Sequence, residues 1–312
     1  MWKKIQGIDD IMIEEFKYVL DNSKYVHIDM SKIDNFINSL GDIKYVHWSE
    51  EVNVDLNEKE WILLSFIIES MNFCFWKKPK WKIEYNNELM SGSNALFYSV
   101  IKCVEKDKNF LNIDYLNNLD FNSFKDIFEG EEVCPLLEER YNNFKETISY
   151  IKNHDFYNEL FSIKSDIELR SYIVNNFSHF NDKSIYKDKE IHFNKRATLL
   201  VNDLYRVSNT IKNNIGNVDN LTGCADYAIP RIFRDYGLLV YNDELSNLID
   251  NEELIEHDSE MEIEIRANML YLIELIKEKV NINSIELDSI IWDMGHKIPR
   301  KSNSYHTITI YY

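Results

Sequence analysis

The chain has 312 residues, of which 45% are hydrophobic and 13% aromatic. This content is sufficient for a globular core and excludes a disordered chain. The formal net charge of -18 opposes a polyanionic partner, because an acidic surface cannot replace the counterions of a nucleic acid. We therefore expect a small-molecule substrate and no binding to duplex nucleic acid, although one local pair of cations can still hold a phosphate.

The chain contains only 8 glycines and 4 prolines, which favours helices over a many-turned β architecture. We expect a mainly α protein with a few short strands, built as a single large helical domain over residues 1–312. An N-terminal lobe to about residue 130, followed by a C-terminal catalytic lobe, is the alternative arrangement. The four cysteines are far apart and form no CxxC motif, so we expect reduced core residues, no metal site and no cofactor.

The first 17 residues carry no cationic and then apolar signal pattern. The longest strongly apolar run, Trp61 to Ile68, is too short to span a bilayer. We therefore expect a cytoplasmic protein with no membrane partner, and we expect it to be a monomer.

In chain order, the segment Lys24 to Asp29 has the β-branched and aromatic content of a short strand. Asn57 and Glu60 have the spacing of a capping box, and they open an apolar segment that predicts a central buried helix. Residues 81–85 predict another strand, which leads into Ser91-Gly92-Ser93, where a serine is expected to cap the next helix.

In the second half of the chain, Pro135 is expected in the first turn of a helix with an apolar stripe. A second stripe begins at Ala197, so Lys195 and Arg196 are predicted at the start of its helix. Ser259 to Lys279 is predicted to form a long helix opened by a capping box of Ser259 and Glu262. Thr307 to Tyr312 alternates like a strand.

Asp226 lies in a stretch that Pro230 must break, since proline is excluded from a helix interior and disfavours the α region at the preceding residue. A short helix is predicted from Pro230 to Gly237, with Asp226 just before its N-terminus, where the helix dipole favours an ionised carboxylate. Such a group can stabilise a developing cation. The alternative is that Asp226 only caps the helix.

Lys195 and Arg196 could form a phosphate site with the free N–H groups of a helix start, or they could be a solvated pair on the surface. Glu262 and Arg266, four residues apart, have the spacing of an ion pair on a helix surface. A flat heterocycle could stack on the aromatic residues near position 75 or near the C-terminus, although such side chains are more often part of the core. The histidines lack metal-ligand spacing.

Eight segments together resemble the queuosine salvage family, the queuosine 5'-phosphate N-glycosylase/hydrolases. They are MNFCFW at Met71–Trp76, SGSNAL at Ser91–Leu96, FSHFND at Phe177–Asp182, IHFNKRATLLVNDL at Ile191–Leu204, GNVDNLTGCADYAIPR at Gly216–Arg231, EIEIRA at Glu262–Ala267, IWD at Ile291–Asp293 and HTITIYY at His306–Tyr312. No segment is specific alone, but their order along nearly the whole chain identifies the family.

The resemblance implies a helical fold similar to helix-rich DNA glycosylases and the hydrolysis of queuosine 5'-monophosphate to queuine and ribose 5-phosphate. It implies that Asp226 of the ADY motif is the catalytic carboxylate and that Lys195 of the KRA motif is its partner. The residues expected to bind substrate are His47, Asn72, Phe73, Trp76, Arg196, Tyr227, Arg231, Trp292, Asp293, His306 and Tyr312.

The chain departs from the family pattern at Ala228, Thr307 and Ile308, where arginines are usual, and at Arg231, where glutamine is usual. A phosphate or ribose contact is therefore expected to be lost or moved, with Arg231 as a partial replacement. A covalent ribosyl-aspartate and direct attack by water both remain open as mechanisms. A DNA N-glycosylase and a non-catalytic or weakly catalytic protein that binds queuine or a nucleotide remain the alternative functions.

Overall fold

The computed structural model describes residues 10–41 and 46–312, and these ranges form a mainly α protein, as the sequence predicted. They contain fifteen α-helices. The helices are α1 Asp10–Asn22, α2 Ile33–Leu40, α3 Glu58–Met71, α4 Ser93–Lys106, α5 Ile113–Asn118, α6 Phe121–Ile127, α7 Leu137–Asn153, α8 Phe156–Ser162, α9 Asp166–Asn176, α10 Lys195–Val207, α11 Asn209–Ile215, α12 Ala228–Asp235, α13 Asp243–Asp250, α14 Glu260–Val280 and α15 Ser284–Lys297. No helix in these ranges has the length and apolar content needed to cross a membrane.

The strands of the described ranges form three antiparallel pairs. They are β1 Val26–Ile28 with β6 Leu239–Tyr241, β2 Lys82–Tyr85 with β3 Glu88–Ser91, and β4 Lys183–Tyr186 with β5 Lys189–His192. The last two pairs are hairpins whose two-residue turns have positive φ at both positions, as a type I′ turn requires. The strands predicted near residues 24–29 and 81–85 are thus confirmed as β1 and β2.

The buried apolar side chains form two clusters. The first surrounds α3, in which every residue from Ile62 to Met71 is buried, and includes side chains of α7 and α10. The second surrounds α14 and includes side chains of α1, α12 and α15. The predicted central helix and the predicted long helix are therefore the cores of these two clusters. The division of the chain into lobes near residue 130 stays a prediction.

The capping predictions are confirmed in part. Asn57 and Glu60 form a complete capping box at α3, and Ser259 caps α14 through one bond, from the Glu262 N–H to the serine hydroxyl. The predicted serine cap of α4 is wrong, because Gly92 occupies the N-cap position with a φ of 66° and no side-chain cap is formed. Pro135 lies before α7 and not in its first turn, since Leu136 is the N-cap residue.

The predicted strand at Thr307–Tyr312 is wrong: the segment forms no ladder, and the nearby pairing is a single bridge between Leu254 and His306. Its backbone instead bonds to separate partners, for example from the Cys74 N–H to the Tyr312 carbonyl oxygen at 2.8 Å. Thr307 and Thr309 are buried between exposed or half-buried neighbours. The alternation in the sequence therefore reflects an extended segment packed against the protein on one side.

Candidate active site

Asp226 lies in the segment between α11 and α12, immediately before the N-cap residue of α12. Its Oδ1 accepts hydrogen bonds from the N–H groups of Ala228 at 2.9 Å and Ile229 at 3.0 Å. The expected cap is therefore present. No hydrogen bond to Oδ2 occurs within the described part of the chain, and the side chain is half-buried. The cap thus occupies one carboxylate oxygen and leaves the other for a ligand.

The helix after Asp226 begins at Ala228, two residues earlier than the predicted start at Pro230. Pro230 occupies the third helical position, where the missing N–H costs no hydrogen bond within the helix. The first two N–H groups of α12 are those that Asp226 accepts. The helix start and the orientation of the carboxylate are therefore fixed by the same pair of bonds.

The electrostatics of Asp226 are a balance between burial and nearby positive charge. Burial raises the pKa of the Asp226 carboxyl above its ordinary value, while the Lys195 ammonium and the two capping N–H groups oppose the rise. His296 of α15 also lowers the pKa. The site therefore holds a half-buried carboxylate that is stabilised from one side by a cation and from the other by a helix N-terminus.

Lys195 is the first residue of α10, as predicted, and it is 8% exposed. Its backbone N–H donates to Asp182 Oδ2 at 3.2 Å. Its ammonium makes no hydrogen bond or ion pair with the described residues, yet its charge lowers the pKa of Glu69, Asp226 and Asp288. The charge of the lysine therefore acts on buried Glu69 and Asp288 and on half-buried Asp226, and its Nζ atom is available to a ligand.

A buried ionic network supports this end of α10. Arg266 donates to both oxygens of Asp182, at 3.1 and 2.6 Å, and lies 3.3 Å from Glu262 Oε1. Glu262 Oε1 also accepts from the Tyr312 hydroxyl at 2.6 Å. The Glu262–Arg266 pair is thus confirmed, but the expectation that it lies on the surface is wrong, because both side chains are 0% exposed.

Arg196 does not form the solvated surface pair that the sequence allowed, because it is only 1% exposed. Its NH1 donates to the carbonyl oxygens of Glu69 and Ser70, each at 2.8 Å, and its NH2 donates to the His179 carbonyl oxygen. The guanidinium therefore satisfies carbonyl groups in the last turn of α3, which the helix cannot pair itself. This contact joins α10 to α3.

Asn72 and Phe73, two of the predicted binding residues, directly follow α3. Asn72 donates through Nδ2 to both Glu69 carboxylate oxygens, at 3.0 and 3.2 Å. Phe73 is 0% exposed, and its ring lies 4.3 Å from the Arg140 guanidinium and 5.1 Å from that of Arg196. Both side chains are therefore held by contacts within the protein.

Trp76 and His306 stack with ring centroids 4.5 Å apart and an interplanar angle of 11°. The indole N–H donates to the Thr307 carbonyl oxygen at 2.9 Å. The two rings line a cavity of about 390 Å³, together with Ile308 and Lys78. Burial lowers the pKa of His306. This pair is thus placed at a cavity, although Asp226 does not line that cavity.

Three other predicted residues lie on α12 and α15. Trp292 and Asp293 are half-buried, and the Trp292 ring lies 4.0 Å from the ring of His296. Arg231 donates to Asp235 Oδ2 at 2.8 Å and to the Gly295 carbonyl oxygen at 3.1 Å. The charge of Arg231 is therefore neutralised within the protein, which weakens the expectation that it replaces a missing arginine.

His47 and Tyr227 complete the predicted set. His47 is 1% exposed, and its Nε2 lies 2.9 Å from Asp203 Oδ1 while its Nδ1 lies 2.7 Å from the Ser49 hydroxyl. Tyr227 is the N-cap residue of α12 and is half-buried. Burial and the Asp226 charge raise the pKa of the Tyr227 phenol. Tyr227 therefore lies beside Asp226.

Sequence reasoning missed two acidic residues near Asp226 and Lys195. Glu69 is 2% exposed in α3, where burial, with a further effect of Asp203, raises its pKa to about 8. A carboxyl group inside a segment that is apolar all round was the available signal, since such groups are seldom buried without a role. Asp288 of α15 is 6% exposed and accepts the Cys224 N–H at 2.8 Å. Nothing in its local sequence distinguishes it.

The amino-acid sequence of this chain is similar to those of known proteins. Residues 49–312 match the family described as queuosine salvage protein. The queuosine 5'-phosphate N-glycosylase/hydrolase of Sphaerobacter thermophilus is 30% identical over 280 residues, covering 86% of this chain and 84% of that protein. The proteins of the same name from Mus musculus and Nematostella vectensis are 29% and 27% identical, covering 79% and 81% of this chain and 80% and 81% of their own lengths. The chain therefore belongs to the queuosine salvage protein family.

Proposed function

We propose that this protein hydrolyses the N-glycosidic bond of queuosine 5'-monophosphate and releases queuine and ribose 5-phosphate. The names of its relatives give the reaction. The observation that carries the proposal is the electrostatic interaction of Asp226 with Lys195, which form no ion pair and each keep a side-chain atom without a hydrogen-bond partner in the described chain. A carboxylate and a cation in this arrangement suit a reaction that develops positive charge on a sugar.

The proposed role of Asp226 is electrostatic. Cleavage of the bond builds positive charge on C1' and O4' of the ribose, and the Oδ2 atom of Asp226 can face that charge. Roughly 4 kcal/mol is expected for unit charges about 4 Å apart at an effective dielectric near 20. That energy corresponds to about a thousandfold in rate. The same oxygen could orient water or form a covalent ribosyl-aspartate.

The remaining residues are assigned by their surroundings. We assign Lys195 to the substrate because its Nζ atom has no partner among the described residues. We propose that three half-buried residues contact the base: Tyr227, Trp292 and Asp293. We propose that the stacked rings of Trp76 and His306 contact the rest of the nucleotide. The internal hydrogen bonds of the other proposed binding residues favour a supporting role. They are His47, Asn72, Arg196, Arg231 and Tyr312. Phe73 is assigned the same role because it is fully buried against the guanidinium groups of Arg140 and Arg196.

The direct test is incubation of the purified protein with queuosine 5'-monophosphate, followed by chromatographic and mass-spectrometric detection of queuine and ribose 5-phosphate. We expect both products in equal amounts. Binding of the nucleotide without either product would instead support a binding protein. We further propose that the protein is monomeric and cytoplasmic and does not bind duplex nucleic acid, for which a gel-shift assay at physiological salt is the test.

A further inference from the structure

Asp288 is fitted closely to the loop that carries Asp226. Its Oδ1 accepts the N–H of Cys224, two residues before Asp226, at 2.8 Å. A Cβ atom on Gly223 would lie 3.0 Å from that oxygen and 2.7 Å from Ile273 Cδ1, so a larger residue at this position would have to displace one of these side chains. Asp288 of α15 therefore packs directly against the loop that carries Asp226.

Asp288 differs from Asp226 in what stabilises its charge. It is 6% exposed, and it has no ion pair and no hydrogen bond to Oδ2 within residues 10–41 and 46–312. Burial raises the pKa of Asp288 well above its ordinary value, and the Asp226 charge raises it further. The Cys224 N–H and the Lys195 ammonium oppose the rise.

Asp288 is buried and lies close to half-buried Asp226, because it holds the N–H of Cys224 two residues away. Two neighbouring carboxyl groups in such a site cannot both ionise without a large cost, so one of them holds a proton. Asp226 receives two N–H groups at a helix N-terminus, whereas Asp288 receives one. The proton therefore belongs on Asp288. Because Oδ1 already accepts a hydrogen bond, the proton is placed on Oδ2, which becomes a hydrogen-bond donor beside the reacting carboxylate.

We propose that Asp288 is the general acid of the reaction and that its Oδ2 donates a proton to the departing deazaguanine while ionised Asp226 faces the ribose. This inference rests on the proposed function. A 7-deazapurine has carbon in place of the nitrogen that is usually protonated, so a donor must reach another atom of the base. A neutral carboxyl group in a buried position is suited to that step.

The step balances in atoms and charge. The bond between C1' and the base nitrogen breaks, its electron pair passes to the base, and the base takes the proton of Asp288. The oxygen of a water molecule bonds to C1', and the proton that this water loses restores the neutral form of Asp288. One water is consumed, and no residue is altered after a turnover.

The test compares Asp288→Asn with Asp288→Glu. Asparagine keeps an acceptor for the Cys224 N–H but has no transferable proton, so we expect kcat on queuosine 5'-monophosphate to fall by about a hundredfold or more, with little change in KM. Glutamate keeps a transferable proton, so we expect kcat of Asp288→Glu to be at least about tenfold higher than kcat of Asp288→Asn. A purely structural role predicts the reverse order, because asparagine keeps the acceptor for the Cys224 N–H in place while glutamate moves its carboxyl group by one methylene.

The pH profile adds a readout that packing does not control. Asp288 acts in its protonated form, so wild-type kcat should fall as the pH rises through the pKa of this group, and the Asp288→Asn profile should lack that limb. The groups that act on its pKa are the Asp226 and Lys195 charges and the Cys224 N–H, and Asp288 in turn raises the pKa of the Cys224 thiol. Glu274→Gln is the matched control, because Glu274 is also buried, with a pKa raised to about 7, but lies beside Lys277 and Glu278. We expect this control to have wild-type kcat.

The outcomes separate the two proposals. A wild-type protein that releases no queuine refutes the proposed function. A wild-type protein that releases queuine, with an Asp288→Asn variant of equal kcat, refutes only the role of Asp288. An Asp288→Asn variant that fails to fold, or is more active than Asp288→Glu, would assign Asp288 to the structure of the loop and overturn the proposal.

Discussion

Replacement of Asp226 by asparagine separates its catalytic charge from its role as a helix cap. The asparagine Oδ1 can still accept the N–H groups of Ala228 and Ile229, so α12 should keep its first turn. The negative charge is lost, and with it roughly 4 kcal/mol of transition-state stabilisation at an effective dielectric near 20. We expect kcat to fall by about a thousandfold or more.

Asp226→Asn should lower kcat but should not lower the stability of the folded protein. The folded-state pKa of Asp226 is raised, so the folded protein binds more protons than the unfolded chain between the two pKa values, and its stability falls as the pH rises through that window. A neutral asparagine avoids this loss at neutral pH. The variant should therefore unfold at a denaturant concentration equal to or above that of the wild type.

Two further variants are the controls for this experiment. Asp226→Ala removes the cap as well as the charge, and we expect it to lose about 1 kcal/mol of stability relative to Asp226→Asn. Asp219→Asn changes an exposed carboxylate in the same loop and should leave kcat unchanged. An Asp226→Asn enzyme that retains more than about a tenth of wild-type kcat would contradict the electrostatic role.

Three other predictions follow from the buried charges around this site. Lys195→Ala should lower kcat/KM by about a hundredfold or more while the protein stays folded, measured by steady-state release of queuine, and unchanged kinetics would remove this residue from the site. The folded-state pKa of Glu69 is raised to about 8, so the wild-type protein should lose unfolding free energy as the pH rises from about 5 to about 8. Glu69→Gln should abolish this loss, and an equal pH dependence of urea unfolding in the variant and the wild type would refute the prediction. Arg266→Met leaves the carboxylates of Asp182 and Glu262 buried without their cation, so denaturant unfolding should show a loss of about 3–5 kcal/mol, and a loss below about 1 kcal/mol would contradict it.

Local signals in the sequence determined the positions of several elements. The cap at Asn57, the long helix after Ser259 and the start of α10 at Lys195 were predicted because capping and apolar periodicity act over a few residues. The break before Pro230 was predicted because proline restricts its own backbone and that of the preceding residue, although the helix begins two residues earlier than expected. The family motifs then identified the carboxylate in that break as the catalytic candidate.

Tertiary structure decided which charged groups are available to a substrate. Lys195 and Arg196 are adjacent in the sequence, yet the ammonium of the first has no partner among the described residues and the guanidinium of the second bonds to three backbone carbonyl groups. The charges that act on Asp226 come from distant parts of the chain, namely Lys195 on α10 and His296 on α15. A side chain's partners and its desolvation depend on the elements packed against it, and no local pattern records them. The sequence therefore determined where several helices begin and which family the chain resembles, while the packing of α3, α10, α12 and α15 determined which charged groups are buried against partners and which are open to a ligand.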